Sequence, residues 1–164
     1  MKRCQIVWKD EKNVKLSGVI DEGTDFAELV DNLVEELWID FGGVTRINSC
    51  GVREWTRVMH SITNRIHFIN CTSAIVDQLS MIPEFIGQNC IVDSFEAHYV
   101  CDECGHEETY ILEVGKDIKP GLDEYEEGPE RSCPQCKAIM EFDHNPEVYL
   151  DFLTDIDEDV EEAG

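Results

Sequence analysis

The chain reads as an α/β domain followed by a small β module pinned by cysteines, and three observations predict this. Strand-like and helix-like patterns alternate through residues 1–94, which is the order of a sheet covered by helices. Two short cysteine turns, Cys101-Asp102-Glu103-Cys104 and Cys133-Pro134-Gln135-Cys136, follow with 28 residues between them. Charge divides along the same line. Residues 1–94 carry 9 Lys+Arg against 14 Asp+Glu, and residues 95–164 carry 4 against 22, so −18 of the net −23 falls on the second part.

The elements of the first part follow from periodicity. Residues 5–9 and 14–20 are strand-like, split by the polar turn Asp10-Glu11-Lys12-Asn13. Thr24 is the expected N-cap of a helix over 25–33, with Phe26, Leu29, Val30 and Leu33 at helical spacing. Residues 37–41 form a short apolar strand that Gly42-Gly43 should end, with a loop beyond. Residues 52–62 put Val52, Trp55, Met59 and Ile62 on one helix face. Residues 66–69 are the next buried strand. Thr72 caps a further helix that turns Ile75, Val76 and Leu79 inward, and Pro83 and Gly87 break the chain before Ile91-Val92.

The second part changes character. Residues 95–148 read as a small β zinc ribbon: 95–100 lead into the first cysteine turn, 109–114 leave it, and 138–142 follow the second. Residues 115–131, rich in Gly, Pro and acid, read as an exposed insertion. Asn145-Pro146 breaks the strand, and 147–152 can form a helical turn. Residues 149–164 read as an acidic C-terminal tail, disordered at its end.

Four thiolates from two tight turns can close a tetrahedral shell around Zn²⁺, and a closed shell of this kind is structural. The expected ligands are Cys101, Cys104, Cys133 and Cys136, with Gly105 suited to the sharp turn after the first pair. A redox-active pair is the rival reading. It needs one pair opening a helix beside a βαβ sheet, and it leaves the second pair unexplained. His106 is a spare donor beside a shell that four sulfurs already fill.

Composition narrows the function further. The first ten residues lack the apolar core of a signal peptide, and no stretch reaches membrane-spanning length. The expected setting is therefore a reducing cytoplasm, with cysteines serving metal rather than disulfides. Cys4, Cys71 and Cys90 lie in apolar runs as small hydrophobes. A half carrying −18 is poorly suited to neutralising phosphates, which argues against a nucleic-acid partner. The same charge suits a solvated surface, or a basic protein partner. No Ser/His/Asp ordering, phosphate-cradling Gly-rich loop or open metal site suggests an enzyme; His60, His67, His98 and His144 are dispersed.

One loop invites a regulatory reading. Ser49 falls just before a helix, where unpaired amides can be capped by its hydroxyl and also favour an added phosphate. Arg46, Arg53 and Arg57 are candidates to receive that phosphate or an acidic partner. An ordinary N-cap is the plain alternative.

The run Ile39-Asp40-Phe41-Gly42-Gly43-Val44-Thr45-Arg46-Ile47-Asn48-Ser49-Cys50-Gly51-Val52 resembles the signature of STAS domains, found in bacterial anti-anti-sigma factors. That loop typically reads Asp-Ser-Ser/Thr-Gly after a strand ending Asp-Leu-x-x-Val. The upstream Leu16-Ser17-Gly18-Val19-Ile20-Asp21 is similar to the family's second strand, and the resemblance covers residues 4–94. It implies a STAS-like mixed sheet with helices, and a non-enzymatic partner switch. In the family the first Ser of the loop is phosphorylated by an anti-sigma serine kinase, which blocks binding, and a phosphatase restores it. By position that residue is Ser49, with Asn48, Cys50, Gly51, Arg53 and Arg57 as the surrounding partner-binding surface. Asn48 stands where Asp is usual, and Cys50 where Ser or Thr is common. These departures favour the second reading, a STAS-type scaffold without the phosphate gate. Cys50, beside a helix terminus and Arg53, is also a candidate oxidant sensor.

Overall fold

The protein is described by a computed structural model covering residues 3–156. The chain divides into two compact units, Met1–Phe95 and Glu96–Gly164.

The first unit is built on a mixed five-stranded sheet. Its strands are β1 (Gln5–Trp8), β2 (Asn13–Ile20), β3 (Glu36–Ile47), β4 (Arg65–Ile69) and β5 (Cys90–Val92), in that spatial order. β1 and β2 are antiparallel, as a short turn requires. β2, β3, β4 and β5 are mutually parallel. Helices supply the crossovers: α1 (Ala27–Asp31), α2 (Ser49–His60) and α3 (Ser73–Met81), with a 3-10 turn at Pro83–Phe85. Their apolar stripes lie inward, with Trp55 and Met59 of α2 and Ile75, Val76 and Leu79 of α3 buried. Trp55 is fully buried and meets the rings of Phe26, Phe41, Phe68 and Phe85 at 5.3–5.9 Å. Its indole N–H donates to the Phe85 carbonyl at 3.1 Å, so its one polar atom is satisfied.

Two elements differ from the sequence expectation. α1 is shorter than 25–33, because local side chains claim the backbone ahead of it. Thr24 Oγ1 accepts from the Asp21 amide at 3.0 Å, and Asp25 Oδ1 accepts from the Ala27 amide at 2.9 Å. Thr24 therefore closes a turn and does not cap the helix. The second difference is larger. Gly42-Gly43 does not end the strand; β3 runs on through both glycines to Ile47. A Cβ on Gly43 would lie 2.5 Å from the Ser17 Cβ, so glycine here permits close approach of β2 rather than a turn.

The second unit carries a three-stranded sheet in the order β7 (Glu107–Glu113), β6 (Ser94–Val100), β8 (Glu141–Phe142), with β6 and β8 antiparallel. α4 (Pro146–Tyr149) and a 3-10 turn at Asp151–Asp155 follow. Residues 115–131 are only partly an exposed insertion. Ile118, Pro120 and Tyr125 are buried, the Tyr125 hydroxyl donates to the Lys119 carbonyl at 2.6 Å, and Gly121 N donates to Leu153 O at 2.8 Å. The start of the predicted tail is likewise core: Tyr149, Leu150, Phe152 and Leu153 are all buried. The expected disorder at the tail's end falls at 157–164, outside the described residues. Among the described residues no helix is long and apolar enough to cross a membrane.

Candidate functional site

The two cysteine turns fold alike. In the first, the Cys101 amide donates to His106 O and the Gly105 amide to Cys101 O, both at 2.8 Å. In the second, the Cys133 amide donates to Ala138 O at 2.7 Å and the Lys137 amide to Cys133 O at 2.9 Å. The residue after each pair adopts the left-handed conformation: Gly105 at φ 77° and Lys137 at φ 70°. Glycine takes that shape freely and lysine does so at a cost. The repeated turn aims two sulfurs of each pair at one point.

The four Sγ atoms all lie within 4.8 Å of one another. Cys101 and Cys136 are 3.4 Å apart, and Cys104 and Cys133 are 3.6 Å apart. A disulfide needs about 2.05 Å, and all four thiols are free. A tetrahedral shell with metal–sulfur bonds of about 2.3 Å separates its sulfurs by about 3.8 Å. The cluster therefore fits a four-thiolate metal site, formed by Cys101, Cys104, Cys133 and Cys136. His106 stands aside, with Nε2 2.8 Å from Glu108 Oε2.

The electrostatics favour a cation. Desolvation pushes the Cys133 thiol up, but amides of Cys136 and Gln135, with the Cys104 and Cys136 thiols, bring it down to about 6. At Cys104 the His106 amide favours the thiolate, yet desolvation and three neighbouring sulfurs carry the thiol up to about 12. Packed this closely, the thiols ionise one at the expense of another, and a bound divalent ion removes that conflict. The scattered cysteines behave differently. Burial pushes Cys4 and Cys90 up to about 11 and Cys71 higher still, so they stay protonated as packing residues.

At the other candidate site, α2 begins at Ser49 and its N-cap is Asn48, not Ser49. Asn48 Oδ1 accepts from the Gly51 amide at 2.8 Å, while its Nδ2 donates to Glu22 Oε2 at 2.9 Å. That second bond holds the Glu22 carboxyl below the usual carboxylate range. Asparagine wins because its side chain reaches the amide of the helix's third residue from an extended backbone, at ψ 175°. Ser49 is exposed in the first turn, Cys50 is half-buried and Gly51 is buried. Arg53 is exposed, whereas Arg57 pairs with Glu54 at 2.7 Å. Arg46 lines a different feature, a cavity shared with Arg3.

One polar cluster lay outside the sequence reading. His67, buried between Ile66 and Phe68, faces Asp93 Oδ2 at 2.8 Å and Glu36 Oε2 at 2.7 Å. Its ring stacks on Trp38, its neighbour across the β3–β4 register, at 4.5 Å and 6°. Hydrogen bonding by His67 pulls the Glu36 carboxyl down, and burial pushes the Asp93 carboxyl up. A histidine inside an apolar strand was the available signal; its two carboxylate partners are 31 and 26 residues away.

Comparison with family models, curated proteins and solved structures finds no match for this chain.

Proposed function

We propose that the chain is a non-enzymatic, STAS-like regulatory module of the cytoplasm. Its first unit docks a protein partner through the N-terminal end of α2, and phosphorylation of Ser49 gates that docking. Its second unit is a structural zinc ribbon. The carrying observation is that Asn48 makes the cap while Ser49 stands exposed in the first turn. The Ser49 hydroxyl is thus accessible to a kinase without cost to the helix. A phosphate there adds about two negative charges beside helix-terminal amides and close to the Asn48–Glu22 pair. Such a charge at the centre of a docking face repels an acidic partner surface. The partners expected on this reading are an anti-sigma serine kinase and a phosphatase, with no role for nucleic acid. Zinc is the ion that best suits four thiolates in a closed shell.

The Arg57–Glu54 pair favours the scaffold reading, because it commits one of the two helix arginines to a neighbour. Wild-type, Ser49→Ala and Ser49→Asp baits separate the two. The gated switch expects one kinase-like partner captured by wild type and Ser49→Ala but lost with Ser49→Asp, and phosphate on Ser49 when that partner and ATP are supplied. Equal capture by all three, with no phosphate at Ser49, leaves the scaffold.

A further inference from the structure

The first sheet carries a cavity of about 460 Å³ whose lining includes Arg3, Arg46, Ser17 and Thr45, over Gly18 and Gly43. Its shape follows from the backbone. Gln5 pairs with Ser17 and Ser17 with Gly43, forming a row across β1, β2 and β3. Gly43 contributes no side chain to that row. The β2–β3 register slips twice, between Lys15 and Ser17 and again between Gly18 and Val19, and Gly18 sits at φ 90°. Two irregularities within five residues deform the sheet locally, and such bulges recur beside binding sites.

The charge of this cavity runs against the composition. The chain has 36 Asp+Glu and 13 Lys+Arg, yet two arginines and no carboxylate line the cavity. Of the acids that follow β2, Asp21 Oδ1 accepts from the Gly23 amide and Glu22 Oε2 accepts from Asn48 Nδ2, both at 2.9 Å. Arg3 and Arg46 are both exposed. Two guanidinium forks present more donors than one carboxylate can use, and they match the oxygens of a phosphate. Ser17 adds a hydroxyl, as does Thr45, whose 3.3 Å bond to the Gly18 carbonyl is long and weak. The volume is in the range of small-molecule pockets and well above the needs of a bare anion.

We propose that this cavity binds a small organic phosphate, with Arg3 and Arg46 holding the phosphate and the remaining lining, Gln5, Ser17, Val19 and Thr45, facing the organic body. The proposal is independent of the Ser49 switch. Calorimetric titration of the full chain at low salt, with AMP and with inorganic pyrophosphate as probes, tests it. AMP should bind with a Kd in the range of about 1 mM or tighter, and the Arg3→Gln/Arg46→Gln variant should weaken it about tenfold or more. A Lys9→Gln/Lys12→Gln variant removes the same charge from exposed positions of the same unit and should retain affinity. Matching circular dichroism and thermal melts establish that each variant is folded. The proposal is overturned if AMP does not bind the wild type, whether or not pyrophosphate does, if the arginine variant binds AMP as tightly as wild type, or if the lysine variant loses as much affinity.

Discussion

The two units reach a folded state by different physical means. The first has a sheet thick with aliphatic side chains and one indole, Trp55, ringed by four phenylalanines. Its interior is a continuous apolar layer. The second has small aromatic groupings, Tyr99 against Tyr110 and Phe142, and His144 stacked on Tyr149 at 3.7 Å. Between its strands lie long irregular segments and four sulfurs within 4.8 Å. Small units with thin cores commonly need a covalent or metal staple. The contrast teaches that a hydrophobic pattern can secure the first unit, whereas the second is expected to need a metal at its four-sulfur cluster.

That difference can be tested unit by unit, because all three Trp residues precede residue 95 and all four Tyr residues follow it. Indole signals report the first unit and phenol signals the second. The largest effect should come from the metal. Structural zinc contributes an apparent ~10–16 kcal/mol in small ribbons, as much as or more than a domain's whole stability. Strong chelation, or Cys104→Ser or Cys136→Ser, should therefore release the metal and abolish the tyrosine near-ultraviolet signal while the tryptophan melt persists. A tyrosine signal that survives complete metal loss breaks the comparison.

Trp55→Ala should act on the other side. Removing a fully buried indole from the ring cluster should cost about 3–5 kcal/mol, read in a urea melt followed by Trp8 and Trp38. Metal content should not change. A cost below about 1 kcal/mol would show that the ring cluster is not what holds this unit.

A smaller effect involves protons. Burial is the main cause that pushes His144 down to about 4 from its ordinary 6.5, and its Nε2 accepts the His98 amide at 2.9 Å. Between those two values the unfolded chain holds a proton on this ring that the folded chain lacks. Its contribution is therefore full above pH 6.5 and is lost as pH falls toward 4. Discounted for partial exposure, it amounts to about 1–2 kcal/mol. His144→Gln should flatten the acid side of the tyrosine-detected stability profile by that amount relative to wild type. Parallel profiles would remove His144 as the cause.

Much of the architecture was legible from local pattern. Alternation and 3.6-residue spacing marked the α/β order, and the paired cysteines marked the four-sulfur cluster. The misreadings share one physical origin, the long-range contact. Gly42-Gly43 reads as a stop until Ser17 approaches Gly43 from β2. The stretch 149–164 reads as a tail because seven of its residues are acids and none is basic, yet Tyr149, Leu150, Phe152 and Leu153 find a core. Asn48 and Ser49 are both good caps by type, and only the backbone decides which side chain reaches the Gly51 amide. Lys137 carries no sequence mark of its φ of 70°, although Gly105 does at the matching place.

The burial of the four sulfurs alternates: Cys101 and Cys133 are buried, Cys104 and Cys136 exposed. Each turn thus commits one cysteine to the interior and leaves the other toward solvent. The site is a cup with a single rim. An ion held at these sulfurs would be reached from solvent through Cys104 and Cys136, with Cys101 and Cys133 beneath. Exchange of such an ion would then be set by that outer pair, so a unit held firmly at equilibrium would still be able to trade its metal.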